Sequence, residues 1–394
     1  MRGFFMLDSI PLSPEFVTAA TAQTPVAGLT HDFYRYPARF SPELARAAIQ
    51  EFTAPDDTVV DPFMGAGTSL VEALSHKRNC IGSDINELAV FVAKVKTRPL
   101  NTVQRTRVLH LIKSLSQASL AILPKTATTW RNDKYLRNLH SRKTWPIRDS
   151  IGLALARLES LPTAPEQHFF RCVLLRTAQW AVDGRRILPS AAQFRHRLLQ
   201  TATRMLDSLV DFCAELSPHH KVLILHQPAE ELSRRALSHG FRAPSLILTS
   251  PPYPGVHVLY HRWQLLGGLE TPAAFWIANC KDGEGASHYT FGDHRTHTET
   301  LYFDTLKRSF ESIASIAQPN TLFVQVVGFS NPRSQLARYL ATLSEAGLAE
   351  LLPRWKGQKT KRLWRRVPNR RWYNSRRVGL SSEREVVLFH RLTP

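Results

Sequence analysis

The sequence predicts an α/β protein, a doubly wound and largely parallel sheet interrupted by a helical insertion. Three stretches carry that expectation. Thr58, Val59 and Val60 form a β-branched run that ends at Asp61, turns through Gly65 and Gly67, and resumes with helical spacing from Ser69 to Leu74, which is strand, glycine loop and helix. Asn79 to Ser83 reads as a second strand running into Asp84, Ile85 and Asn86. The apolar run Leu246, Ile247 and Leu248 stops at TSPPYPG, residues 249 to 255, because adjacent prolines lack donors and fix φ, so the strand gives way to a rigid corner. In open α/β sheets ligands bind at the carboxyl edge of the strands, so a stiff loop there is a candidate active site.

The remaining elements follow in order. Ser41-Pro42-Glu43 reads as a helix cap with proline at the first helical position, leading into Leu44 to Phe52. Apolar residues at helical spacing over 151–161, 169–182 and 194–212 predict a largely helical insertion. Strands are expected at Lys221 to Leu225, Thr321 to Val327 and Glu385 to Phe389, with helices at VLYHRWQLLGG (residues 258–268) and at Gln335 to Ala346. The division predicted is 1–100 for the first part of the core, 101–220 for the insertion and 221–394 for the second part.

Composition narrows the function classes. At 394 residues, 43% hydrophobic and 21% charged, the chain has the makeup of a globular protein rather than a disordered or fibrous one. Its net charge of +19 concentrates polyanions, which makes nucleic acid the leading partner. No long apolar segment, signal peptide or lipidation motif points to a membrane. The four cysteines, Cys80, Cys172, Cys213 and Cys280, form no C-x-x-C pair, which argues against zinc and disulfides and fits a reducing, cytoplasmic setting. His294, His297 and Glu299 match no helix-borne zinc spacing, so no metal is expected.

The glycine loop brings backbone amides and a helix N-terminus close to a ligand, and an acidic residue at the strand end can hold an ammonium group. Asp84 follows Asp61 by 23 residues, the spacing at which dinucleotide-binding folds place a carboxylate on ribose hydroxyls. The loop is not G-x-G-x-x-G, however, and Asp61 would repel a pyrophosphate. A cationic, ribose-bearing ligand such as S-adenosylmethionine fits better than NAD.

DPFMGAGT (residues 61–68) resembles the cofactor motif of the amino-directed, cytosine-N4 or adenine-N6, DNA methyltransferases, TSPPY resembles their catalytic motif, and HDFYRYPARFSPEL (residues 31–44) resembles the segment over the methionine end of the cofactor. The resemblance covers roughly residues 30 to 100 and 220 to 392, and implies a Rossmann-like class I methyltransferase sheet. It places Tyr36, Ala38, Phe40, Asp61, Pro62, Phe63, Gly65, Gly67, Thr68, Asp84 and Ile85 around S-adenosylmethionine. Gln227 joins them, although His226-Gln227 stands where these enzymes often carry Gly-Asp. In the catalytic motif, the Ser250 side chain and the Pro251 carbonyl accept the two amine hydrogens, Pro252 keeps the corner rigid and Tyr253 stacks on a flipped base. A serine in the first position resembles the cytosine-N4 enzymes, aspartate or asparagine being commoner in the adenine-N6 ones. Attack on cytosine carbon 5 is not implied, since it needs a thiolate where Ser250 stands.

Two basic regions are read as DNA contacts. In the insertion Arg131, Lys134, Arg142 and Lys143 alternate with Trp130, Tyr135 and Trp145, followed by Arg185 and Arg186 and then Arg195, Arg197 and Arg204; cations interleaved with aromatics suit phosphate contact and base stacking. The second run, residues 353–377, has no acidic residue and contributes Lys361, Arg362, Arg365, Arg366, Arg370 and Arg371 as a backbone clamp that stays out of the core. The polar stretch Lys281 to Thr300 reads as a mobile loop. The expected function is methylation of duplex DNA at cytosine N4 in a nucleoid-associated enzyme, with a restriction endonuclease as a candidate partner. An adenine-N6 enzyme, an RNA methyltransferase and an inactive DNA-binding relative are the alternatives.

Overall fold

A computed structural model describes residues 9–36, 40–117, 133–255, 262–283, 289–291, 298–359, 361–366 and 384–394. The first part of the chain forms β1 (Ser9–Pro11), α1 (Pro14–Thr21), α2 (Pro42–Phe52), β2 (Thr58–Asp61), α3 (Thr68–Ser75), β3 (Asn79–Asp84) and α4 (Glu87–Thr97). A helical stretch follows, with α5 (Thr102–Gln117), α6 (Trp145–Ala156), α7 (Ala164–Val182) and α8 (Ala191–Glu215). The second part forms β4 (Val222–His226), β5 (Leu246–Thr249), β6 (Trp263–Leu265), β7 (Leu269–Thr271), α9 (Ala273–Ala278), α10 (Thr298–Ile316), β8 (Leu322–Gly328), α11 (Pro332–Glu345), β9 (Leu348–Arg354), β10 (Leu363–Arg366) and β11 (Arg384–Leu392).

The main sheet runs β1-β9-β11-β8-β5-β2-β3-β4, with β10 also paired to β11. From β8 to β4 the neighbours are parallel, and β11 is antiparallel to both β8 and β9. Strand order reverses between β2 and β5: β3 and β4 extend one way, β8 the other. This is a Rossmann-like doubly wound sheet, and the crevice at that reversal is where such sheets hold ligands.

Alternation along the central strands divides the core between two faces. Val59, Leu246, Leu248 and Val324 join a buried cluster with α2, α3 and α4, which continues into Ile147, Phe169, Phe194 and Leu209 of α6, α7 and α8. Val60, Ile247, Phe323 and Val327 face the other way, against Leu306 and Phe310 of α10 and Tyr339 of α11. With both faces covered, β2 and β5 are buried along their length, apolar through Val59, Val60 and Leu246 to Leu248 and polar only at their ends. The cap of α2 forms as expected, Ser41 Oγ accepting from the Leu44 amide at 3.4 Å behind Pro42.

Two expectations are corrected. Trp263 to Gly268 is no helix: β6 and β7 form an antiparallel hairpin whose turn places Leu266, Gly267 and Gly268 at φ of 51°, 90° and 144°. Only glycine takes such angles freely, so the Gly-Gly pair makes a turn rather than ending a helix. Trp263 is buried as expected, and its Nε1 donates to the Tyr34 hydroxyl at 3.0 Å. The basic run is also not wholly solvated, because β10 pairs along β11 and buries Leu363 and Arg365.

Candidate active site

Three strand ends meet at the reversal. From β2, Asp61 Oδ1 accepts from the Thr249 hydroxyl at 2.7 Å and from the Phe63 amide at 3.2 Å, and Oδ2 accepts from the Ser69 hydroxyl. A carboxylate offers about four acceptor directions, so Asp61, at 3% exposure, ties loop to corner and keeps about one direction for a ligand. From β3, Asp84 accepts from the Gly65 amide at 2.9 Å and the Asn86 amide at 2.8 Å, which leaves about two directions free.

Burial pushes both carboxyls up to about 6, against the hydrogen bonds of Ser69, Thr249 and Phe63 at Asp61 and those of Asn86 and Gly65 at Asp84. Between them Gly65 and Gly67 hold φ of +50° and +73°. A Cβ on Gly65 would meet the Tyr36 ring at 3.4 Å, and one on Gly67 would meet Ala93 at 3.0 Å. The loop is thus pressed against α4 on one side and Tyr36 on the other, with the Tyr36 hydroxyl bonded to the Asn86 side chain at 3.0 Å.

From β5, the corner is held on every side. The Ser250 hydroxyl donates to the Val326 carbonyl at 3.0 Å and lies 3.0 Å from the Tyr253 hydroxyl. Tyr253 donates to Glu385 at 2.8 Å, and Glu385 in turn lies 3.7 Å from the buried Arg365. Tyr302 of α10 donates to the Pro252 carbonyl at 2.6 Å. Gly255 sits at φ +69°, and a Cβ there would strike Ser330 Oγ at 2.2 Å.

The structure therefore brings Tyr36, Asp61, Pro62, Phe63, Gly65, Gly67, Thr68, Asp84 and Ile85 to one edge with Ser250, Pro251, Pro252 and Tyr253. Gln227 is beside them: its carbonyl accepts from Ser83 at 2.7 Å and its side chain donates to the Glu231 carbonyl at 3.2 Å. His226 bonds the Ile85 carbonyl at 3.1 Å. Phe40 is half-buried against the core. Ala38, Arg131, Arg370 and Arg371 lie outside the described residues, as do His294 and His297.

Among the basic residues, Lys134, Arg142, Lys143, Arg186, Lys361 and Arg366 are exposed. Arg362 is spent on a two-pronged pair with Glu350 at 2.6 and 2.7 Å, and Arg365 is buried at Glu385; their folded positions serve the sheet. Within the stretch expected to be mobile, Tyr289 is buried and its hydroxyl bonds Gly283 and Asp282, and Thr298 already begins α10. Glu385 and Tyr302 carried no sequence signal, because each reaches the corner from a distant strand or helix. No group of His, Cys, Asp or Glu among the described residues is arranged to hold a metal ion, and no helix among them is long and apolar enough to cross a membrane.

Residues 20–94 match the family model described as DNA methylase, of the N6 and N4 amino-methyltransferases. Over that segment the chain is similar to the amino-directed methyltransferases. The Type II methyltransferase M.MvaI of Kocuria varians is 42% identical over 82 residues, 20% of this chain and 18% of that protein. M.MjaII of Methanocaldococcus jannaschii is 30% identical over 112 residues, 28% of this chain and 19% of that protein. These matches span less than a fifth of either relative. Among solved structures, the rRNA methyltransferase aviRa of Streptomyces viridochromogenes aligns over 93% of this chain and 90% of that one at 12% identity, with a TM-score of 0.33 that is too low to bear on fold or substrate.

S-adenosylmethionine is the cofactor to which the matched segment points, and the residues at the edge suit it. Asp84 has acceptor directions left that could take ribose hydroxyls, Asp61 keeps one that could take an ammonium group, and Gly65 in the loop between them holds a φ of +50° that side chains rarely adopt.

Proposed function

We propose that the protein methylates the exocyclic amine of a base in duplex DNA, with cytosine N4 as the target. The observation that carries this reading is the state of Ser250. Its one hydroxyl hydrogen is directed at the Val326 carbonyl or Tyr253, so toward a ligand the oxygen acts as an acceptor. That is the polarity an amine needs, since it offers two N–H donors and a lone pair delocalised into the ring. Accepting those hydrogens with Ser250 and the Pro251 carbonyl favours a tetrahedral nitrogen and aims its lone pair, and positioning of this kind supplies much of the rate.

The bound cofactor supplies an electrophilic methyl group on a sulfonium. Asp61 bonds Thr249, next in sequence to Ser250, so one carboxylate sets both the cofactor loop and the amine acceptor. Tyr253 presents the face on which a flipped base stacks. The short neutral serine supports cytosine N4 over adenine N6. Exposed Lys134, Arg142, Lys143, Arg186, Lys361 and Arg366 supply phosphate contacts. A restriction endonuclease of the same site specificity is the partner this reading suggests.

The test is transfer of labelled methyl from S-adenosylmethionine to plasmid DNA and, in parallel, to total RNA. Label in DNA that disappears with Ser250→Ala supports the proposal. Label confined to RNA moves the substrate class, and cofactor binding without transfer to either would mark an inactive relative.

A further inference from the structure

Arginines from three segments gather beside α7. Arg185 and Arg197 stand over the Trp180 ring, with guanidinium carbons 4.6 and 5.3 Å from its centroid. Arg176 donates to the Asp32 carbonyl at 3.3 Å, and Arg204 lies 3.1 Å from the Asp32 carboxylate. Arg35 is fixed by its main chain, whose amide and carbonyl both bond the Gln179 side chain, at 3.1 and 2.9 Å. Burial and then their neighbours push the Arg176 and Arg197 guanidinium groups below the ordinary range: Arg204, Arg35 and Arg197 act on Arg176, while Arg204 and Arg185 act on Arg197. Against five cations stand Asp32, paired with Arg204, and Asp183 near Arg35. The Nε of Arg197 is buried and has no hydrogen-bond partner among the described residues.

A cluster of like charges is costly unless an anion completes it, and guanidinium groups match phosphate oxygens in pairs. Its position suggests whose phosphate. Tyr36, against the glycine loop, is the residue after Arg35. The loop after α7 bonds the β6–β7 hairpin through Gly184 and Asp183 to Gln264, at 2.5 and 3.1 Å, and that hairpin follows the proline corner. We propose that Arg35, Arg176, Arg185, Arg197 and Arg204 around Trp180 form a phosphate-binding site for the DNA backbone flanking the target base. The inference rests on the reading of the chain as a DNA methyltransferase.

The test compares duplex binding across a salt series for the wild type and an Arg185→Gln/Arg197→Gln double variant, with S-adenosylmethionine titration and melting temperature as controls. Each phosphate neutralised on B-DNA contributes about 0.9 to the slope of log K against log salt, so the slope should fall by about 2. Affinity at low salt should fall more than tenfold, with cofactor affinity unchanged and melting temperature unchanged or raised. A folded variant with the wild-type slope overturns the proposal. Should the variant not fold, inorganic phosphate at constant ionic strength is expected to raise the wild-type melting temperature, and no rise overturns the site. Tighter binding of structured RNA than of duplex, through the same arginines, overturns the DNA assignment. If phosphate stabilises the protein while duplex is neither bound nor methylated, the site stands and the methyltransferase reading fails.

Discussion

The Thr249 hydroxyl donates to Asp61 Oδ1 at 2.7 Å, across the boundary between β2 and β5 where the order of the parallel strands reverses. The two residues are far apart in sequence, yet β2 and β5 run parallel in register, Val60 opposite Ile247, and deliver them to the same edge. The bond joins the strand end before the glycine loop to the strand end before the proline corner.

Thr249→Val keeps the shape and removes the donor, leaving a buried carboxylate short of a partner. Such a loss costs about 1–3 kcal/mol. Urea unfolding should show a fall of that size, and calorimetry should show weaker S-adenosylmethionine binding, since the same carboxylate sets the loop. Wild-type stability and affinity in the variant would mean that the bond does not couple the motifs.

Asp84 and Asp61, with carboxyls near 6, make cofactor binding depend on pH. Both pKa values are raised on folding, so between the unfolded value of 3.8 and about 6 the folded protein holds the extra protons. Their burial therefore costs stability above pH 6, and the cost fades as the pH falls toward 3.8. Ligand binding runs the other way, because a protonated acid is a poor acceptor for ribose hydroxyls and no partner for an ammonium group. Affinity for S-adenosylmethionine should be level above pH 7 and fall below about 6, by up to about tenfold per unit for each carboxyl. Asp84→Asn should weaken binding at pH 7.5 and flatten part of this profile; an affinity constant from pH 5 to 8 would remove the carboxylates from the site.

Glu385 braces the corner through Tyr253. Glu385→Ala would leave Arg365, 3% exposed at its side chain, without its partner, and removing one member of a buried pair costs about 3–5 kcal/mol. Glu385→Gln keeps the acceptor for Tyr253 and should be milder. In a methyl-transfer assay the Gln variant should retain more kcat than Tyr253→Phe, which loses the hydroxyl altogether. Equal losses would show that the brace is general packing.

Glu72 lies fully buried, between His31 at 2.7 Å and Arg46 at 3.1 Å, and these partners hold its carboxyl below the usual range despite burial. A lowered folded pKa gives stability that is present above the unfolded value of 4.5 and is lost as the pH falls through the folded one. Glu72→Ala should therefore lower the melting temperature strongly at pH 7 and by less at pH 3. A variant as stable as the wild type at pH 7 would contradict this account of the cluster.

What could be read from the sequence was local. Asp61, Gly65, Gly67 and Asp84 lie within one strand-loop-helix-strand unit, where glycine, acid and apolar spacing each have a local physical meaning, and Ser41 with Pro42 marks a helix start in the same way. The Trp263–Thr271 hairpin was missed because Trp, Leu and Gly-Gly over a few residues fit a helix end as well as a β turn, and pairing with β7 decides between them. Arg365 reads as one more cation in a basic run until β10 lies along β11 and brings it to Glu385. Glu385, Tyr302 and the arginines around Trp180 act through contacts between distant segments, which no local pattern encodes.

The most direct test is mass spectrometry of the nucleosides from duplex DNA incubated with S-adenosylmethionine and either the wild-type protein or Ser250→Ala. The account predicts N4-methylcytosine with the wild type and none with the variant. N6-methyladenine would keep the amine-acceptor role of Ser250 and overturn the choice of base. DNA without any methylated nucleoside, from protein that binds S-adenosylmethionine, would contradict the central claim.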